Sequence, residues 1–569
     1  MKHPLCARFL LRLLGLPLLL GAAKLTPFQI TGVQGPLLLN IQHRLAELDQ
    51  NKRFNQASPD TLREQVAKAM SPYGFFKPDI TIQPPTSSKG PWRIAIRPGP
   101  ALPIDNLTVS ITGEGQNNAA IQQARRTLPL HAGQPLNTVL YDEAKANLFS
   151  AAESEGYLHA TFEQTDVLID LTHYRATIVL LFNTGPRSYF GDIQFKPSGS
   201  LSPAFLQRYV PFTYGQPYSP EQVSALNTNL AASGYFRAVE VKPEDKTTTP
   251  HVPLVVNIEP INRTNYSLGA GYGTDTGPRG RAGLHVVPVN EYGHQFNAVA
   301  QGSISENALQ MQYVIPGADP VHDHYNINGG FSNLNYTSGY SNAVLISFVQ
   351  QHIRENYQRN LSLNALHERF NYTGQSKTEK NVLYPKGNLT WRHVTDELFS
   401  PSGYNVTLNG LIGNRALLSD INLAEASIDA KAAITLDPLR TRVYLHATQG
   451  VVAINNIYDL PLSLALLLGG AENMKGSSFN SMGPGKLLTY AGIELQKETW
   501  EQWYLLAFVD AGDVHQPRPL AFQYDAGVGL MWRSPVGPIK IALAQPTNAH
   551  LQRLRGHGPR LVINMGPDL

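Results

Sequence analysis

Ile428-Asp429-Ala430-Lys431-Ala432-Ala433-Ile434-Thr435-Leu436 changes character at every second position. Extended, it places Ile428, Ala430, Ala432, Ile434 and Leu436 on one side, with Asp429, Lys431, Ala433 and Thr435 on the other. Charges in mid-strand exclude a dry core behind that second side, because an unpaired buried charge is too costly. A wall with hydrocarbon on one face and water on the other accepts the pattern. The same period runs outward from this stretch. Val443, Leu445 and Ala447 interleave with Arg442, Tyr444, His446 and Thr448. Leu561, Ile563 and Met565 interleave with Arg560, Val562 and Asn564, and Tyr266, Leu268, Ala270 and Tyr272 begin the series. Clusters of Gly, Asn, Pro and Ser separate the segments. From residue 262 to 569, about 300 residues at about 20 per strand and turn predict about 16 strands, an even number as bacterial barrels require. A soluble β-sandwich also alternates. This stretch is long for one sandwich, and a strand expected over 561–569 lies where a barrel closing on itself needs one.

Composition agrees with that reading. Among 569 residues, 46 are Lys or Arg and 43 are Asp or Glu, for a formal charge of +3. Charged residues reach only 16%, against about 25% in soluble chains. So even a balance gives no electrostatic basis for binding nucleic acid, and 42% hydrophobic residues exclude wholesale disorder. Cys6 is the only cysteine, which excludes an intrachain disulfide, a Cys-based zinc site and a Cys redox pair. It sits among Lys2, Arg8 and Arg12, ahead of an apolar stretch at 13–20 and the small residues Gly21, Ala22 and Ala23. That order predicts a secretory signal peptide over 1–23. The apolar stretch is shorter than the roughly 20 residues of a spanning helix. Further on, the longest apolar run, 460–471, is interrupted by Pro461 and Ser463. An exported chain without a spanning helix is soluble or a barrel, and the alternation selects the barrel.

Ahead of residue 262 a different pattern recurs three times. A helical stretch ends in Gly followed by two aromatic or aliphatic residues, and extended sequence follows. The copies end at Gly74-Phe75-Phe76, Gly156-Tyr157-Leu158 and Gly234-Tyr235-Phe236, with the glycines 82 and 78 residues apart. Ser58-Pro59 and Ser219-Pro220 are helix starts, an N-cap followed by proline in the first turn. Each glycine suits a left-handed helix end. Strands are expected over 158–171 and 175–182 in the second copy, and over 237–243 and 252–258 in the third, with an opening strand at 189–195. Repeated small domains of the order strand, helix, helix, strand, strand follow from this.

Catalytic signatures are missing from the sequence. There is no Gly-x-Ser-x-Gly elbow, His-Glu-x-x-His pair or phosphate-binding Gly-Lys-Ser/Thr loop. The expectation is therefore a protein that is not an enzyme, with no cofactor and no metal. His322-Asp323-His324, in a turn-rich stretch after Pro320, reads as an exposed loop. Gly269-Ala270-Gly271-Tyr272-Gly273 reads as a thin first barrel strand. Such a strand would pair weakly with Ile563, Asn564 and Leu569 of the last. A seam of this kind could open and accept an incoming chain by strand addition.

Four further segments carry a resemblance. They are Phe508-Val509-Asp510-Ala511-Gly512-Asp513, the segment Arg533 to Lys540, Gly485-Lys486-Leu487 with Gly492-Ile493-Glu494-Leu495, and Asn564-Met565-Gly566-Pro567-Asp568-Leu569. With the three repeats, the chain resembles the TamA family of the BamA superfamily over nearly its whole length. The resemblance implies α+β POTRA domains at 26–98, 101–185 and 187–260 in the periplasm. It implies a 16-stranded antiparallel transmembrane β-barrel at 262–569 in the cell outer membrane. It also implies an assembly factor that aids insertion or translocation of barrel proteins such as autotransporters. The implied partners are unfolded outer-membrane substrates, outer-membrane lipid and a TamB-like protein anchored in the inner membrane. A two-partner-secretion type pore for one dedicated substrate is the alternative, and three repeats with no plug segment before Phe28 argue against it. In the family, an Arg at the tip of a lumen-folded loop is held by acidic residues on the wall. By position the loop tip here is Asn473-Met474-Lys475-Gly476-Ser477, with Asp510 and Glu494 as wall partners. Lys475 supplies the charge but lacks the planar fork of Arg, so a looser lock is expected.

Overall fold

A computed structural model of the chain describes residues 28–50, 58–85, 90–197, 199–244, 250–535, 537–547, 559–566 and 569. The signal-like segment 1–23, with Cys6, lies outside them, as do Val536, Pro567 and Asp568 of the quoted motifs. The chain divides into two compact units. One holds the first two repeats and part of the third, and the other holds the rest of the third and everything from residue 254 onward.

The first repeat runs β1 (Phe28–Thr31), α1 (Gly35–Gln50), α2 (Pro59–Met70), β2 (Asp79–Gln83) and β3 (Trp92–Arg97). The second runs β4 (Ile104–Thr112), α3 (Ala119–Arg126), α4 (Thr138–Ser154), β5 (Thr161–Asp170) and β6 (Arg175–Asn183). The third runs β7 (Tyr189–Lys196), α5 (Pro203–Leu206), α6 (Pro220–Ala232), β8 (Phe236–Pro243) and β9 (His251–Pro260). In each sheet the last strand lies in the middle. Helix α2 shows how the sequence produces the unit. Ser58 Oγ accepts the Thr61 N–H at 3.1 Å, with Pro59 in the first turn. Leu62, Val66, Ala69 and Met70 then fall on one face and bury against Ile41 and Leu45 of α1 and Ile80, Ile94 and Ile96 of the sheet. The third repeat departs from the expected two full helices, since α5 has only four residues and continues as a short 3-10 turn.

The repeat glycines all adopt left-handed φ, 84° at Gly74, 87° at Gly156 and 78° at Gly234. Two of them also join one repeat to the next. Gly74 O accepts the Leu102 N–H at 2.8 Å, and Gly156 O accepts the Ser188 N–H at 2.7 Å. A Cβ at Gly156 would stand 2.8 Å from Tyr218 O, a backbone atom. Gly156→Ala is therefore expected to cost about 1–3 kcal/mol from backbone strain. Hydrogen exchange of the full-length protein over 138–170 checks this, and unchanged protection would show that the glycine conformation is not required.

From residue 264 onward the chain is one sheet of sixteen strands, each paired antiparallel with its neighbours in sequence. They are β10 (Thr264–Gly273), β11 (Gly277–Val286), β12 (Gln295–Gly302), β13 (Glu306–Pro316), β14 (Asp323–Tyr336), β15 (Gly339–Arg354), β16 (Tyr357–Tyr372) and β17 (Thr378–Val394). Then follow β18 (Gly403–Gly413), β19 (Leu423–Leu436), β20 (Thr441–Ile454), β21 (Leu487–Trp500), β22 (Trp503–His515), β23 (Gln523–Ser534), β24 (Gly537–Pro546) and β25 (Arg560–Met565). The count agrees with the alternation, and so do the faces. Ile428, Ile434, Leu436, Leu445, Leu561 and Met565 are exposed on the outside, while Arg442, Tyr444, His446 and Val562 are buried inside. Among the described residues no helix is long and apolar enough to cross a membrane.

Two sequence expectations need correction here. Asp323 and His324 open β14 instead of lying in a loop, with Asp323 bonded to His352 Nδ1 at 2.7 Å. The last strand ends at Met565, because Gly566 takes φ 130°. Leu569 lies off the strand, buried against Ala433 and Tyr444, with its carbonyl oxygen accepting from Arg392 Nη2 at 3.2 Å.

Candidate functional site: the lumen loop and the seam

The apolar run after Leu460 is a loop folded into the barrel between β20 and β21. Leu460 packs with the inward-facing Leu366, Val382, Tyr384, Leu411 and Val452. Leu468 and Met474 pack with Leu488, Tyr490 and Val514. Apolar burial seats the loop, and wall side chains fix its register. Glu368 Oε1 accepts the Ser463 N–H at 3.1 Å, Asp275 Oδ2 accepts the Ala471 N–H at 2.8 Å and Asp525 Oδ2 accepts the Gly476 N–H at 2.7 Å. Each bond satisfies a loop backbone donor, at exposed Ser463, buried Ala471 and half-buried Gly476.

Lys475 lies at the loop tip, 9% exposed. Its Nζ is 3.1 Å from both oxygens of Asp510 and 4.0 Å from Glu494 Oε2. Lys540 Nζ holds the other Glu494 oxygen at 2.8 Å. Asp510, Lys475, Glu494 and Lys540 thus form a chain of four alternating charges, a closure that burial demands. Tyr490 OH donates to Asp510 Oδ1 at 3.0 Å, and Gln496 Nε2 donates to Glu494 Oε1 at 2.7 Å. Arg442, wholly buried, donates to Gln496 Oε1 at 2.8 Å and extends the network. Instead of a bidentate fork, one ammonium sits between two carboxylate oxygens.

The Phe508-x-Asp510-x-Gly512 spacing now has a physical account. All three residues face the lumen, two apart on β22. The Lys475 ammonium stands 4.5 Å from the centre of the Phe508 ring. Asp510 takes the ammonium, and Gly512 leaves room for the loop, since a Cβ there would lie 3.1 Å from Leu468 Cδ1 and 3.2 Å from the Met474 sulfur. Gly492, directly opposite Asp510 on β21, leaves the space that Tyr490 OH and the Asp510 carboxylate fill. Asp510 also stands directly opposite Asp525 on β23. That like-charge pair is unfavourable alone, and the Lys475 ammonium and the Gly476 N–H separate the two charges. None of Lys540, Asp525, Asp275, Arg560 and Glu368 had been assigned to the loop or the seam from the sequence, although Lys540 and Arg560 lie in segments quoted there. Their inward strand parity was readable, but their common meeting point was not.

The structure also locates the seam. Among the described residues no ladder joins β10 to β25. Tyr266 is 80% and Leu268 89% exposed. Gly269, Gly271 and Gly273 lie along this edge, where a Cβ at Gly269 would meet nothing closer than Arg281 Cβ at 4.0 Å. Across from it, Ile563 and Asn564 pair on their other side with Ile541 and Lys540 of β24. The Ile563 N–H reaches Thr274 Oγ1 at 3.3 Å. Arg560 does more. Its Nη2 bonds Asp275 Oδ1 at 2.5 Å, and its Nη1 donates to Ser477 O in the loop. One guanidinium therefore ties the last strand, the first hairpin and the lumen loop together. Among the described residues no group of three or more His, Cys, Asp or Glu is placed to hold a metal ion.

Comparison with known proteins places this architecture. Residues 292–554 match the Omp85 superfamily domain. Residues 27–97 match the POTRA domain described as TamA domain 1, and residues 188–260 match the POTRA family described as a surface antigen variable number repeat. Among solved structures, BamA from Haemophilus ducreyi lacking POTRA domains 1–3 superposes with a TM-score of 0.68 at 16% identity, covering 82% of this chain and 98% of that one. CdiB from Acinetobacter baumannii gives 0.46 at 13% identity over 94% and 100% of the two chains. CdiB from Escherichia coli gives 0.45 at 13% over 91% and 96%. The family matches along the chain lead to one assignment, with which the sixteen-stranded fold agrees: the chain is an outer-membrane β-barrel protein of the TamA/BamA (Omp85) superfamily.

Proposed function

We propose that this protein is an outer-membrane assembly factor that aids insertion or translocation of other β-barrel proteins, autotransporters among them. Its POTRA domains, in the periplasm, would guide unfolded substrate and dock an inner-membrane-anchored partner of the TamB type. The observation that carries the reading is the seam, where a six-residue last strand faces a first strand with no ladder between them among the described residues. Unpaired backbone groups in lipid are costly, so such an edge favours an added strand. The process needs no covalent chemistry, because burial of the substrate in lipid supplies the free energy.

Two measurements test it. Depletion of the protein, followed by quantitative comparison of the outer-membrane proteome, should show selective loss of large barrels or autotransporters. Loss of a single secreted protein would instead indicate a dedicated export pore. Cysteine pairs at the seam, Thr274→Cys with Ile563→Cys at the observed contact and Gly273→Cys with Asn564→Cys one residue along each strand, should abolish assembly when oxidised and restore it on reduction. Assembly that continues with the seam fully cross-linked would remove strand addition there from the mechanism.

A further inference from the structure

Arg279 and Arg281 stand on β11 directly opposite Gly271 and Gly269 of the first strand. Direct partners in an antiparallel ladder project to the same face, and a row of them shows which face this is. From Gly269 the row runs through Arg281, Gln301, Ala308, Ser332 and Ala343 to Glu368. Glu368 is buried and holds the lumen loop at Ser463. Both arginines therefore face the lumen, and Tyr266, Leu268 and Tyr272 face lipid. The glycines leave the first strand bare on its inner side, and Arg279 lies across it, with its Nε 3.2 Å from where a Cβ of Gly271 would be. These residues, with Gln301 and Met565, line a cavity of about 330 Å³ open to the seam. Glu306 also lines it, and its Oε1 already accepts the Tyr336 hydroxyl at 2.5 Å. Neither arginine has a hydrogen-bond or ion-pair partner among the described residues.

We propose that Arg279 and Arg281 form a carboxylate-binding site for a strand added at the seam, selecting Asp or Glu at its lumen-facing positions. A strand laid on the free edge of β10 stands two strand spacings, about 10 Å, from β11. The long arginine stem and an acidic side chain span that distance together only because the intervening row carries no side chains. Guanidinium groups favour carboxylates through paired N–H donors. Lipid phosphate carries the same charge but lies on the opposite face of the wall. The inference rests on strand addition at this seam and adds a charge preference to it.

The test uses the full-length protein in zwitterionic nanodiscs and labelled ten-residue strand peptides. The peptides alternate apolar and polar residues, with Glu, Gln or Lys at the polar positions. The Glu peptide should bind roughly threefold to tenfold more tightly than the Gln peptide, with Lys weakest. The preference should shrink at high salt and vanish in R279Q/R281Q, whose folding is checked by its heat-dependent gel shift. Equal binding of Glu and Gln peptides, or a preference that survives in R279Q/R281Q, overturns the carboxylate site and leaves strand addition standing. Failure of every peptide to bind removes strand addition, and the site with it. If anionic nanodiscs reveal an arginine-dependent lipid association while the peptides show no preference, the arginines serve lipid phosphate and the proposal is wrong.

Discussion

Replacing Lys475 with alanine is expected to release the lumen loop and to destabilise the barrel by about 3–5 kcal/mol, the range for removing one partner of a buried ion pair. The magnitude follows from what stays behind. Asp510 would keep the Tyr490 hydroxyl at 3.0 Å but lose the one ammonium that pairs with it among the described residues, while still facing Asp525 across the ladder. Asp510 is fully buried, so water cannot replace the lost cation without opening the site. The effect should appear as a lower apparent midpoint in heat-dependent gel mobility and as faster proteolysis within 462–484. Lys475→Arg should keep most of the stability, since a fork can take both Asp510 oxygens. A double variant, Lys475→Met with Asp510→Asn, should lose less than the sum of the single changes. An alanine variant as stable and as protease-resistant as the parent would show that the loop is held by apolar packing alone.

Arg560→Ala is the second large effect, and it acts on the seam. Arg560 joins three segments of unit charge and backbone polarity at once, reaching Asp275 in the first hairpin and Ser477 O in the loop. With only six residues, β25 has few ladder bonds to compensate. Hydrogen exchange at Leu561, Ile563 and Met565 is expected to quicken by about tenfold, equivalent to about 1.4 kcal/mol of local opening. Exchange at Ala471 should quicken as well, because Asp275 also accepts its N–H. Asp275→Asn should reproduce both changes in weaker form. If exchange rose at the strand but stayed constant at Ala471, the seam and the loop would be independent.

Much of this architecture was legible in residue order. The period of two at 428–436 set which residues face lipid, and the structure agrees at Ile428, Ile434 and Leu436. The glycine recurrence pointed to left-handed helix ends, and Gly74, Gly156 and Gly234 have them. Lys475, Asp510 and Glu494 could be named because a resemblance put them in register. Lys540 and Asp525 were equally inward by parity, yet nothing local distinguished them from other lumen-wall polar residues. Leu569 was placed on the last strand by continuing an alternation, and the turn at Gly566 sends it elsewhere.

The division has a physical cause. Side-chain alternation and helix capping act over a few residues, so the order of residues determines faces, repeat units and strand number without reference to anything distant. The charge chain at the loop tip and the guanidinium at the seam depend on groups far apart along the chain, as Asp275 and Arg560 are at 285 residues. Their meeting is decided when sixteen strands curve towards a cylinder and the loop folds into it, because only that curvature brings the first hairpin, the last strand and residue 475 to one place.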